Sequence, residues 1–375
     1  MKISLVDDTI YRYASGDPSA AGGAERYMWL LARAMAARGW SAMIGVPSAL
    51  EPGERAEIGG VGFVGLERRH LVRAVSAFFA LERPDWCLWF GASHLLGPLV
   101  AVAKMAGTRT AFSAQFDLDV HPRRALYRRP RLWPLYAAGL AGSSRIFLQH
   151  QRQLAELPAR WQPKATTLPG IVELAADFVP HRDRRPYVSW VGVLRQHKRP
   201  DLLIEIARRL PSIEFVVCGG VSAHRSPPGY GDTMRKTLEA VPNIRYLGHV
   251  APGRAIDVIA RSALLLSTSE REGFPSVFLE AWAHGTPVVS LGVDPDGCIA
   301  TRGLGVVSNG VGAAADDITA LVASADRRQE AALRCRAHVA AVHSAEAAVA
   351  IVKRALATSG AHPAAEASPH VAERA

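Results

Sequence analysis

Residues 263–290 read ALLLSTSEREGFPSVFLEAWAHGTPVVS. Ala263 to Thr268 is a short apolar run closing on small hydroxyl residues, which predicts a buried strand leaving a sheet. Ser269 to Pro275 is a polar loop punctuated by Gly273 and Pro275. Ser276 is the expected helix N-cap, Gly285 the expected stop, and Pro287 begins the next strand. Strand, loop, helix, strand is the repeating unit of a parallel sheet, and the loop leaves at the carboxyl end of its strand, where such sheets bind ligands. Two carboxylates bracket the turn. Glu272 lies in the loop, and Glu280 lies one helical turn beyond Ser276 on the same face. The unpaired N–H groups of a helix start favour an anion or a hydroxyl oxygen, and Gly273 lets the backbone come close. Carboxylates so placed suit vicinal hydroxyls, bound through charge-assisted hydrogen bonds of about 1.5–3 kcal/mol.

The same alternation runs outward in both directions. Towards the N-terminus, Lys2 to Val6 reads as a strand, Ala24 to Arg38 as a helix ending at Gly39, and Ser41 to Val46 as a strand, which together make a βαβ unit. Trp86 to Phe90, Arg109 to Ser113 and Ser144 to Leu148 are further expected strands, with an apolar helix over 95–106. A polar, proline-bounded stretch, PHRDRRP at 180–186, reads as a linker. The pattern then restarts, with strands at 187–191, 214–218 and 244–247 and helices at 200–210 and 232–240. Two doubly wound α/β domains facing a cleft are predicted: residues 1–180, residues 181–345, a C-terminal helix over 346–358 packing back on the first domain, and a disordered tail over 359–375 with little apolar content.

Composition agrees. A chain of 375 residues that is 49% hydrophobic and 21% charged is globular and long enough for two domains. The opening MKISLVDD has no charged leader ahead of an apolar stretch, and no run approaches the roughly 18 apolar residues of a spanning helix, so a cytoplasmic location is expected. Four scattered cysteines, Cys87, Cys218, Cys298 and Cys335, form neither a disulfide framework nor a zinc spacing and are expected in the core. A net charge of +10 suits anionic partners without choosing among them. The stretch HPRRALYRRPRLWPLY mixes Arg123, Arg124, Arg128, Arg129 and Arg131 with Trp133 and Tyr136; it is read as a solvated helix and turn, with peripheral contact to an anionic membrane as the alternative. No nucleic-acid signature appears.

The stretch EGFPSVFLEAWAHGTPVVS, with Glu272 and Glu280 spaced as E-x7-E, resembles the retaining, nucleotide-sugar-dependent glycosyltransferases of family 4, the group 1 type with the two-domain GT-B fold. The resemblance covers most of the chain. It implies that Glu272 contacts the donor sugar's hydroxyls, that Gly273 and Phe274 present backbone to sugar and phosphate, and that Glu280 holds the ribose. Pro275 stands where many relatives carry Gly and removes one N–H, so phosphate contacts fall to Ser276 and Val277. WVGVLRQHKRPDLLIEIARRL is similar to the family's strand, glycine and basic loop, with Lys198 placed to neutralise the donor diphosphate. Val193 replaces the family's Arg, and Arg195 is the candidate substitute. AAGGAERYMWLLARAMAARG resembles the glycine-rich opening of the first helix, where Gly22 and Gly23 would offer N–H groups to donor or acceptor.

TRTAFSAQFDLDV lacks the histidine that many relatives carry beside the reacting sugar. Asp117 is a candidate near the acceptor, while His121 and His94 are read as ordinary surface or capping residues. The acidic pairs Asp117/Asp119 and Asp294/Asp296 read as polar loop features, so no metal is expected. The resemblance thus implies transfer of a sugar from a nucleoside diphosphate sugar to a hydroxyl acceptor, often a lipid-linked saccharide, with retention and without a cofactor. A sugar-nucleotide epimerase or hydrolase on the same fold, and a non-catalytic nucleotide-sugar binder, remain as alternatives. A dinucleotide-dependent oxidoreductase is disfavoured, because neither domain opens with the full glycine fingerprint.

Overall fold

The structure, a computed structural model, describes residues 1–17, 23–126, 129–222 and 226–357. Two sheets organise it. The first contains β1 (Lys2–Val6), β2 (Ser41–Val46), β3 (Arg55–Ile58), β4 (Val61–Gly65), β5 (Trp86–Phe90), β6 (Arg109–Ser113), β7 (Arg145–Leu148) and β8 (Ala165–Thr167), in the order β3-β4-β2-β1-β5-β6-β7-β8. The second contains β9 (Val188–Val191), β10 (Phe215–Cys218), β11 (Ile244–Tyr246), β12 (Leu264–Ser267), β13 (Val288–Ser290) and β14 (Gly305–Val307), in the order β11-β10-β9-β12-β13-β14. Among the described residues every strand pair is parallel except β3 with β4.

The expected strands appear within one residue of their limits. Their short apolar runs are buried on both sides: Val188, Phe215, Val216, Val217 and Leu264 are all fully enclosed, as strands between two helical layers must be. The β3–β4 hairpin was not anticipated. Its outer strand, RAEI, alternates exposed and half-buried positions and carries charge at a sheet edge, which discourages pairing with another chain and leaves no apolar run to read.

In each sheet the winding direction reverses at one place. In the first it lies between β1 and β5, and in the second between β9 and β12. Crevices form outside the carboxyl ends of strands at such points. The loops following β9 and β12 carry Lys198 and Glu272, so topology places both on the second crevice.

The 180–186 stretch crosses from β8 towards β9 and packs against the second domain. The His181 ring lies within 2.8 Å of the Gly285 carbonyl, and Arg184 donates to the carbonyls of Val179, Ser262 and His284 and to the Thr286 hydroxyl. His181 and Arg184 therefore serve buried carbonyl groups, while Arg182, Asp183 and Arg185 face solvent. The helix Ala345–Ala357 returns to the first domain, where Ala348, Val349, Val352 and Leu356 join a core containing Ile3, Leu5 and Leu31. The chain thus crosses between the domains twice. All four cysteines are free and buried. The 359–375 tail lies outside the described residues.

Candidate functional site

A cleft of about 420 Å³ lies between the two sheets, within the size range of small-molecule sites. Glu272, Gly273, Phe274, Ser276, Val277, Glu280 and Lys198 from the second domain line it, and Gly23 lines it from the first. These candidates, scattered from residue 23 to residue 280, are brought together.

The helix Ser276–Ala283 starts differently from its expected form. Pro275 is the N-cap, with extended backbone (φ −64°, ψ 114°), and no side chain caps the helix; Ser276 is instead the first helical residue. Proline fixes φ ahead of the helix, so the serine hydroxyl is spared for the cleft. The Ser276 and Val277 N–H groups have no acceptor among the described residues and remain available to an anion. The Phe274 N–H is already occupied: it donates to Gln149 Oε1 of the first domain at 2.9 Å. The close approach made possible by Gly273 is likewise to this side chain, since a Cβ there would stand 2.5 Å from Gln149 Oε1.

Lys198 Nζ pairs with Glu272 Oε1. The lysine is held in place from below. Trp190 Nε1 donates to Thr268 Oγ1 at 3.0 Å, and Thr268 Oγ1 donates to the Lys198 carbonyl at 2.7 Å. Glu280 pairs with Arg26 Nη1 at 2.6 Å across the domain boundary. Burial pushes the Glu280 carboxyl above its ordinary range, and the Arg26 guanidinium opposes that rise. Two carboxylates and two cations thus stand in the cleft as two ion pairs, one of them spanning the domain boundary, a charge pattern that can receive both the hydroxyls and the phosphates of a polar ligand.

Other candidates are placed elsewhere. Arg195 reaches Ser222 Oγ at 3.2 Å and does not line the cleft. Asp117 is also outside the lining: its Oδ1 meets His150 Nε2 at 2.9 Å and accepts from Gln153 Nε2 at 3.1 Å. Its neighbours Gln115 and Phe116 line the cleft in its place. Gly22 lies outside the described residues. The remaining acidic-pair carboxylates serve backbone N–H groups: Asp119 accepts from Gln115 and Phe116, Asp294 from Ile299 and Ala300, and Asp296 from Gln151. Among the described residues no group of three or more His, Cys, Asp or Glu is arranged to hold a metal. His121 faces Glu156, and His94 faces Arg129.

Sequence reasoning passed over Arg26 and Gln149. Arg26 stands three residues after Gly23, hence on the same helical face, and could have been found from that spacing. Gln149 directly follows β7, at a strand's carboxyl end, where ligand contacts concentrate.

Residues 173–332 match the sequence family described as "Glycosyl transferases group 1". Curated relatives include a D-inositol 3-phosphate glycosyltransferase of Corynebacterium aurimucosum, 32% identical over 112 residues, covering 28% of this chain and 27% of that protein. Another is an alpha-galactosylglucosyldiacylglycerol synthase of Streptococcus pneumoniae, 31% identical over 113 residues, with 30% of each chain covered. The chain thus spans less than a third of the length of these relatives. Similar solved structures include a sucrose-phosphate synthase from Thermosynechococcus elongatus, with TM-score 0.72, 18% identity, and 94% and 98% of the two chains covered. Anabaena Alr3699/HepE in complex with UDP and glucose gives TM-score 0.71 at 15% identity, over 96% and 100% of the chains. The chain therefore has the two-domain GT-B fold of these neighbours, and residues 173–332 are similar to the Glycosyl transferases group 1 family.

Proposed function

We propose that this chain transfers a sugar from a nucleoside diphosphate sugar to a hydroxyl acceptor, with retention of anomeric configuration. The observation that carries the proposal is the convergence of Glu272, Glu280 and Lys198 on one cleft between the domains. Glu280 would hold the ribose hydroxyls, in place of Arg26. Glu272 would hold hydroxyls of the transferred sugar. Lys198, with the free N–H groups of Ser276 and Val277, would stabilise the negative charge that builds on the diphosphate as its bond to the sugar breaks.

The step exchanges one bond for another on the same face of the sugar. The anomeric carbon loses its phosphate oxygen and gains the acceptor oxygen, and the acceptor's proton passes to the departing phosphate oxygen. This assignment needs no protein base and no resident cofactor or metal, and fixed cations meet the charge requirement. The two ion pairs of the cleft, whose cation Lys198 becomes available to a diphosphate when Glu272 is re-paired, support the reading.

For the acceptor we propose a saccharide or a lipid-linked saccharide met at the cytoplasmic face of a membrane. Arg123, Arg124, Arg129, Arg131, Pro134 and Leu135 are exposed together on the first domain. No described helix is long and apolar enough to cross a membrane.

The test is calorimetric titration of UDP, GDP and ADP into the wild-type protein and Glu280→Ala without added metal. Binding of one nucleotide, weakened in the variant by about 1.5–3 kcal/mol, supports the reading. A folded wild-type protein that binds none of them refutes it.

A further inference from the structure

The Gln149 side chain is the first domain's direct hydrogen bond to the loop that carries Glu272. Its orientation is fixed by chemistry: the Phe274 N–H can only donate, so the carboxamide oxygen must face it at 2.9 Å. The carboxamide nitrogen then points the other way, and it makes no hydrogen bond among the described residues. Gln149 lines the cleft beside Gly273, so that nitrogen is a donor available to a ligand.

A polar scaffold stands behind Gln149. Its own N–H donates to Gln153 Oε1 at 2.8 Å, and Gln153 Nε2 donates to Asp117 Oδ1, which also meets His150 Nε2. Gln153 is fully buried and His150 nearly so. Enclosing an amide, an imidazole and a carboxylate is costly; the hydrogen bonds among them offset part of that cost and restrain Gln153, while His150 Nδ1 is left without a partner. The network ends at the cleft, at the one member that faces the Glu272 loop.

We infer that Gln149 is a sugar-reading residue, donating from Nε2 to a hydroxyl of the transferred sugar opposite Glu272, and that Gln153 and Asp117 are its positioning residues. The inference rests on the donor reading given above. It gives the first domain a part in choosing the sugar, and it makes that choice conditional on the two domains being together. A hydroxyl oriented away from Nε2, as in an epimer, loses this contact and leaves a donor unpaired.

The experiment compares the affinity of the nucleoside diphosphate that binds with that of its glucose, galactose and mannose conjugates. The measured quantity is the gain from adding each sugar, in wild-type protein, Gln149→Leu and Gln149→Glu, with melting temperature as the check on folding. Expected is loss of about fivefold of the preferred sugar's gain in Gln149→Leu, with affinity for the bare diphosphate unchanged. Gln149→Glu, which replaces the donor by an acceptor, should alter the ranking of the three sugars. Sugar gains that are unchanged in both variants overturn the inference alone. So does an equal loss for the bare diphosphate, which would make Gln149 a prop for the loop. Failure of the wild-type protein to bind any nucleoside diphosphate removes the donor reading and this inference together.

Discussion

Gly23→Ala tests whether contact between the two domains is required for activity. Gly23 begins the helix Gly23–Ala36, and its φ is not positive, so alanine fits the backbone. Its added methyl would stand 2.6 Å from Ser276 Oγ and 3.0 Å from Ser276 Cβ across the cleft. Rotation of the hydroxyl relieves the first contact, but the second joins two Cβ atoms fixed to the backbone, and relieving it takes a shift of a few tenths of an ångström between the backbones of the two domains. Overpacking of this kind costs about 1–3 kcal/mol, which taken from the closed state shifts the closed–open equilibrium by about 5- to 150-fold. The fold itself should not suffer, since alanine is the better helix former.

The assay is sugar transfer or donor hydrolysis at saturating donor, with thermal unfolding alongside. The expected result is an activity loss of up to that factor at equal or higher melting temperature. Ser276→Gly in the same chain removes the opposing Cβ and should restore most of the activity. Full activity in the single variant, or a double variant no better than the single, would refute the steric argument.

Three further outcomes are expected. Arg26→Gln removes the cation that restrains the Glu280 carboxyl, whose pKa burial already raises; nucleotide affinity measured from pH 8 to pH 5 should fall at higher pH in the variant than in the wild type, and superimposable profiles would sink the idea. His181 and His343 are held neutral by burial, with pKa pushed down to about 3 and about 4. The unfolded chain binds protons below its ordinary value near 6.5 while the native chain does not, so each should cost about 2 kcal/mol of stability at pH 5. Denaturant melts should show stability lost between pH 7 and pH 5; a flat profile would contradict the burial of these rings. Vesicles containing anionic lipid should retain the protein at low salt, with about 1 kcal/mol lost for each of Arg123, Arg124, Arg129 and Arg131 changed to Gln. Equal retention on neutral vesicles would count against a charged docking face.

Residues 263–290 carried most of what the sequence determined by itself. A buried strand, a loop with Gly and Pro, and a short helix are written in local periodicity, and the rule that ligands gather at strand ends makes Glu272 and Glu280 candidate site residues, whereas Lys198 was singled out only by resemblance to a known family. The strands were legible because short apolar runs between helical layers have few other uses. Only the tertiary structure decided which partners those residues meet. Arg26 finds Glu280 across 254 positions and Gln149 finds Phe274 across 125, and pairs so distant leave no period in a sequence. The same holds for Asp117, whose residue type suited a cleft but whose carboxylate is spent on His150 and Gln153, and for His181 and Arg184 of the 180–186 stretch, which in an otherwise solvent-facing stretch pack on carbonyl groups. A polar side chain reads alike in solvent and in a buried network; the difference lies in what surrounds it, and only folding supplies those surroundings.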